Sequence, residues 1–158
     1  MKIMLVLMLL LISLPTTSYA NKEISLGLGI GSQYSGIGIN AAKIGNDYMG
    51  YLAIGCLGIG YSEVSGWILP CGVGAGWIWT DLFTKANNKH GLGLYVGPAS
   101  IDKDIYNDDK ARYGLGVTYV YFPHGLNSRG LNVGVTPVLW KENGETQGGL
   151  MGNIGYQF

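Results

Sequence analysis

Apolar residues recur at alternate positions through most of this chain, and the alternation persists to its final residue. In Leu150-Met151-Gly152-Asn153-Ile154-Gly155-Tyr156-Gln157-Phe158 the even positions are apolar or glycine, and the odd ones, Met151 apart, are small or polar. A period of two is that of a β-strand whose two faces meet different surroundings. Eight such runs are predicted, at roughly 23–32, 36–44, 48–61, 66–79, 91–97, 112–121, 130–140 and 147–158.

Apart from the third, which is apolar at both parities, each run keeps its large apolar residues on one parity. The first sets Ile24, Leu26, Leu28 and Ile30 against Ser25, Gly27, Gly29 and Gly31; the sixth sets Tyr113, Leu115, Val117, Tyr119 and Tyr121 against Gly114, Gly116 and Thr118. Only one face is greasy. Nearly all charged residues fall at run ends or between runs, with Lys43 a near-boundary exception. A soluble barrel would turn the greasy face inward and would need a charged exterior, which Gly, Ser, Thr and Asn do not supply. With the pattern inverted, so that Leu, Ile, Val and aromatics meet lipid and small residues line the lumen, the contradiction disappears.

Composition supports the inversion. Charged residues are 13% of the chain, against ~25% in ordinary soluble domains, and mean hydropathy is +0.22. A formal net charge of +0 with no Lys/Arg cluster argues against nucleic acid as a partner. Lys2, the apolar stretch Ile3 to Leu14 and the small-x-small site Ser18-Tyr19-Ala20 read as a cleaved export signal over 1–20, too short for a spanning helix. The remaining 21–158 carry all 27 glycines and form one predicted domain.

The fourth run has Trp67, Leu69, Cys71, Val73, Ala75, Trp77 and Trp79 on one side. Ten residues from Trp67 to Trp77 rise ~33 Å, which a ~40° tilt reduces to ~25 Å, the height of a membrane barrel's apolar band. Trp67, Trp77, Trp79, Tyr119 and Tyr121 are the predicted aromatic girdle. An even number of strands puts both termini on the periplasmic side. Connections near 33–35, 62–65, 98–111 and 141–146 then face outward, and those near 45–47, 80–90 and 122–129 inward.

On this architecture the chain resembles the small eight-stranded outer-membrane barrels of the OmpA/OmpX type over essentially all of 21–158. Leu150, Gly152, Ile154, Tyr156 and Phe158 look like the carboxy-terminal signal read by that superfamily's barrel-assembly machinery. The resemblance implies an all-β, eight-stranded antiparallel up-and-down transmembrane β-barrel, exported through the periplasm of a Gram-negative bacterium and inserted as a monomer among outer-membrane lipid and lipopolysaccharide.

If the third and fourth runs form a hairpin around Glu63-Val64, Cys56 faces Cys71. Trp67 then faces Gly60, Trp77 faces Gly50, Tyr51 faces Gly76 and Tyr61 faces Gly66, four aromatics each covering a glycine. A Cys56–Cys71 disulfide and a pair of buried thiols are both open. The lumen lining is Gly-rich and uncharged: Gly27, Gly29, Asn40, Gly93, Gly116, Asn132, Thr136 and Asn153 among others, with Met49, Leu57, Ile59, Ile68 and Ile78 added by the hairpin. That leaves either a partly apolar cavity suited to an acyl chain or a space plugged by Tyr51, Tyr95 and Trp140.

Candidate chemistry is sparse. His124, Ser128 and Glu142 have the composition of a hydrolase set, but the topology separates Glu142 from the other two by a membrane thickness. His90 has no partner in the sequence. Asp102, Asp104, Asp108 and Asp109 could ligate Ca²⁺, yet lack the EF-hand pattern and read better as a solvated loop. The Gly-x-Gly sets lie within strands, not at a strand-to-helix turn, so no nucleotide fingerprint is present. No metal, cofactor or catalytic residue is predicted. The expected role is structural or interactive at the envelope, then a barrel that binds or passes a small apolar or lipid-like ligand, then a lipid A-modifying enzyme.

Overall fold

The computed structural model describes residues 24–58, 60–62, 66–80, 82, 88–102 and 110–158. The export signal over 1–20, the Glu63-Val64 loop and the acidic residues Asp104 to Asp109 lie outside them, as do the side chains of Trp67, Ile59 and Ile68.

Ten strands follow in chain order: β1 (Ile24–Gly31), β2 (Gly36–Ile44), β3 (Tyr48–Cys56), β4 (Gly60–Ser62), β5 (Gly66–Ile68), β6 (Cys71–Trp79), β7 (His90–Asp102), β8 (Lys110–Tyr121), β9 (Gly130–Glu142) and β10 (Glu145–Gln157). Eight of them close an antiparallel up-and-down barrel in the order β1-β10-β9-β8-β7-β6-β3-β2, while β4 and β5 form a separate small ribbon. Leu26, Leu28, Ile39, Leu52, Val73, Leu94, Leu115, Leu131, Leu139 and Ile154 all point outward and are exposed. The alternation of the sequence thus becomes an apolar exterior around a small-residue interior.

The hairpin β3–β6 has the expected register from Tyr48↔Trp79 to Cys56↔Cys71, including Gly50↔Trp77 and Tyr51↔Gly76. Cys56 and Cys71 are joined by a disulfide. Above that point the third and fourth runs are not continuous strands. Leu57 N–H donates to Pro70 O (2.9 Å), and three residues then separate Cys56 from β4 where only two separate β5 from Cys71. This extra residue slips the ribbon by one, pairing Tyr61 with Trp67, Gly60 with Ile68 and Ser62 with Gly66. The expected pairs Trp67–Gly60 and Tyr61–Gly66 are therefore replaced.

β7 to β10 are longer than their apolar runs, because pairing continues past the greasy stretch into polar residues. An Asn143-Gly144 turn, with φ 50° and 86°, joins Glu142 to Glu145 as the type I′ conformation requires. Two interruptions mark the wall. The β6–β7 ladder ends at Ala75↔Val96, just before Pro98 would have to donate a rung, and the β8–β9 ladder skips Val117 and Thr118 opposite Thr136 and Pro137. At the first break the Val73 N–H instead donates to Tyr113 Oη (3.2 Å).

The end carrying both termini is ringed by aromatics. Tyr48 stacks on Trp77 (4.9 Å between centroids), His90 lies against Tyr121 (5.0 Å), and Tyr156 meets Phe158 edge-on (4.9 Å). Trp77, Trp79 and Tyr121 of the expected girdle are exposed there. Tyr119 is half-buried and bonds His90 Nδ1 (2.7 Å), giving that histidine a partner.

Candidate functional site

The most specific construction in the molecule is the filling of the barrel. The β1–β2 connection, expected as an outward-facing loop, turns into the lumen as a single 3-10 turn, Ser32–Tyr34. Gly31 (φ 114°) and Gly36 (φ 102°) make the two sharp reversals, a backbone region that side chains with a Cβ rarely adopt. Ser32, Gln33, Tyr34 and Ser35 are all 0% exposed.

Three walls hold this plug. Ser32 Oγ donates to Asn153 Oδ1 on β10 (2.9 Å) and lies 2.7 Å from Thr136 Oγ1 on β9. The single Ser32 proton goes to Asn153, so Thr136 donates to Ser32. Thr136 in turn receives Asn153 Nδ2 (3.0 Å) and Thr118 Oγ1 on β8 (2.7 Å). The Gln33 N–H donates to Asn153 Oδ1 (3.1 Å), and its carbonyl accepts from Asn40 Nδ2 on β2 (3.1 Å). Gln157 Nε2 reaches Asn40 Oδ1 (3.1 Å). Tyr34 Oη is 2.8 Å from Asn132 Nδ2 and 3.1 Å from its Oδ1. Every group is neutral, so the network carries no desolvated charge.

The glycine lining is the mould for these side chains. A Cβ at Gly29 or Gly155 would strike the Tyr34 ring, one at Gly76 the Tyr51 ring, and one at Gly97 the Tyr95 ring. Tyr95 Oη donates to Pro98 O (2.9 Å). Toward the terminal end the filling turns apolar: Met49, Tyr51, Ile78, Val120, Phe122 and Leu126 form one buried cluster. Phe122 and Leu126 come from the 122–129 connection, which folds back over this end through Phe122 N–H to Lys89 O (2.7 Å) and Leu126 N–H to Asn88 O (2.9 Å).

The expected lining residues Asn40, Asn132, Thr136, Asn153, Met49 and Ile78 do face inward. Tyr51 and Tyr95 fill the space as the plugged alternative required, whereas Trp140 stands half-buried at the mouth. The partly apolar acyl-chain cavity is replaced by this packed interior. Charge is not wholly excluded from the inner face: Arg112 and Glu142 pair across β8 and β9 at the far end (3.4 Å), with Trp140 Nε1 3.4 Å from Glu142 Oε2. Glu142 thus stands at the opposite end from His124 and Ser128, and no hydrolase set is assembled from these three. The apolar parity hid Arg112 and Glu142 because both stand at strand ends. The inward turn was missed because Gly31-Ser32-Gln33-Tyr34-Ser35-Gly36 reads as an ordinary polar loop. Its one signal was a glycine at each end of a connection that retains a large aromatic.

Leu150, Gly152, Ile154, Tyr156 and Phe158 lie on the outward face of β10 and are all exposed. Among the described residues, no group of three or more His, Cys, Asp or Glu is placed to hold a metal ion. Comparison with protein families, with curated proteins and with solved structures finds no match to this chain.

Proposed function

We propose that the protein is an integral barrel of the bacterial outer membrane, with a structural or interaction role at the envelope rather than that of an open pore. One observation carries the reading: a closed wall that is apolar outside and hydrogen-bonded inside. Hydrocarbon is a solvent in which such a wall is stable, because its strands are hydrogen-bonded to one another over most of the barrel's circumference and its outward side chains are apolar. The aromatic belt at the terminal end fits the inner membrane boundary, and the charged ends of β8, β9 and β10 fit the outer one. Lipid and lipopolysaccharide are then its surroundings, and export followed by machinery-assisted insertion its route.

The inward turn follows from the same reading. From Ile24 to Gly31 β1 rises only ~18 Å at ~3.3 Å per residue and ~40° tilt, short of the ~25 Å apolar band. A polar turn ending at that depth has no partners in lipid and finds them in the lumen. The test is flotation of the refolded protein with liposomes, combined with planar-bilayer recording. Co-flotation without discrete conductance is expected. A protein that stays in the aqueous fraction would refute the membrane reading, and stable ion-conducting steps would refute the plugged one.

A further inference from the structure

We infer that the terminal end of the barrel carries a site for one glycerophospholipid of the adjoining leaflet, whose head group bears a phosphate and a primary ammonium. The inference rests on the membrane reading above for its depth. Its chemistry comes from two hollows that adjoin along the outward face of β2.

The first hollow is apolar. On the outer wall Ala41 of β2 and Ala75 of β6 flank Leu52 of β3 in one ladder row. Larger neighbours, Leu26, Ile39 and Val96 among them, overtop the two alanines and leave a furrow of about 590 Å³ whose exposed walls are almost wholly apolar. That is the size of a small-molecule site, ~300–1,000 Å³, and not of a surface wrinkle.

The second hollow is polar. Lys43, the next outward residue of β2 after Ala41, lines a space of about 470 Å³ together with Asn46, Asp47, Tyr48 and Asn127. On β2 it follows Ile37, Ile39 and Ala41, so a cation ends an otherwise apolar face. Lys43 and Asp47 share this hollow without forming an ion pair, and no other carboxylate among the described residues is bonded to Lys43. Row pairing fixes its depth. Lys43 stands opposite Gly50, and Gly50 opposite Trp77; the Trp77 ring lies over Gly50 and stacks on Tyr48. Lys43 is therefore level with the aromatic belt, and Ala41 lies ~5 Å deeper in the apolar band at ~3.3 Å per residue and ~40° tilt.

A molecule that fills both hollows is an amphiphile whose polar and apolar parts meet between Lys43 and Ala41, at the membrane boundary itself. Alone, Lys43 would be an interfacial cation that snorkels to water. The furrow beside it and Asp47 in the same hollow make it one half of a site. Lys43 matches the phosphate. A head group carrying negative charge only would meet Asp47 as a like charge, whereas a zwitterionic one places its ammonium there. Asp47 and the amides of Asn46 and Asn127 offer acceptors for the three N–H donors of a primary ammonium, which a quaternary one lacks.

The full folded chain in detergent micelles is mixed with equal amounts of phosphatidylethanolamine, phosphatidylglycerol and phosphatidylcholine of one acyl composition, and retained lipid is counted by native mass spectrometry. Phosphatidylethanolamine is expected to be retained about fivefold over either competitor, the factor that one charge contact near a membrane surface supplies. Lys43→Ala should lower its retention by about the same factor, and Asp47→Asn should erase the preference over phosphatidylglycerol. Ala41→Trp fills the furrow with a side chain that the boundary tolerates and should abolish retention. Lys89→Ala removes a cation at the same end outside both hollows and should change nothing. Equal retention of the three lipids, or unaltered retention in Lys43→Ala or Ala41→Trp, would overturn the inference. Free phosphoethanolamine competing as well as the whole lipid would assign the polar hollow to a soluble ligand and also overturn it. Asp47 is exposed in a turn outside the wall, so its variant reads the head group even where Ala41→Trp fails to fold. Failure of liposome flotation would remove the membrane reading, while the micelle measurement still decides whether the lipid site exists.

Discussion

Asn153→Ala tests whether the inward turn is bonded to the wall or merely enclosed by it. Asn153 Oδ1 accepts from both the Ser32 hydroxyl and the Gln33 N–H, while its Nδ2 donates to Thr136. Truncation leaves the Gln33 N–H without a partner in a fully buried position, at ~1–3 kcal/mol for an orphaned buried donor. The Ser32 hydroxyl loses its acceptor as well, for a further ~0.5–1.5 kcal/mol. The sum is about 1.5–4.5 kcal/mol, roughly 10- to 1,600-fold in the unfolding equilibrium at ~1.4 kcal/mol per decade. Reversible urea unfolding in micelles, followed by tryptophan fluorescence, measures it. Thr136→Val removes the hub on the other side, and because the two share Ser32 the double variant should lose at least ~0.5 kcal/mol less than the sum of the singles. Strict additivity, or an Asn153→Ala protein within ~0.5 kcal/mol of the original, would refute a hydrogen-bonded plug.

Gly155→Val should be strongly destabilising, because its side chain enters the space of the Tyr34 ring; combining it with Tyr34→Ala should recover part of the loss in the same unfolding assay. Tyr113→Phe leaves the Val73 N–H unpaired beside the Pro98 break and should cost ~1–3 kcal/mol, with faster exchange at that one amide. Leu115→Arg places a charge on the outward face midway along β8 and should cost ~2–4 kcal/mol in a bilayer; a cost that stays near zero in lipid would count against the membrane reading. Reduction of Cys56–Cys71, which closes a separation of 15 residues, should lower stability by ~3 kcal/mol, read as a shift of the urea midpoint under dithiothreitol.

Strand identity and facing were legible in the chain because each depends on a short-range rule. A run such as Ile24 to Gly31 has only one parity of large residues, and β-structure converts parity directly into inside and outside. The Cys56–Cys71 register was legible too, since a hairpin's pairing follows from its own two segments. Its tip was not: the shift to Tyr61↔Trp67 arises from one extra residue between Cys56 and Gly60, which alternation does not register. The Asn143-Gly144 turn was present in the letters and was read only as part of a longer connection.

By itself, the sequence determined the number of barrel strands and which of their sides is apolar. It did not determine what occupies the centre. Tyr34 meets Asn132 across 98 positions, and Ser32 meets Asn153 across 121, so no local period couples them. Only closure of the barrel brings glycines from β1, β6, β7 and β10 around the tyrosines they accommodate. Contacts between segments distant in the chain depend on the curvature and stagger of the whole sheet, which exist only once the last strand has met the first.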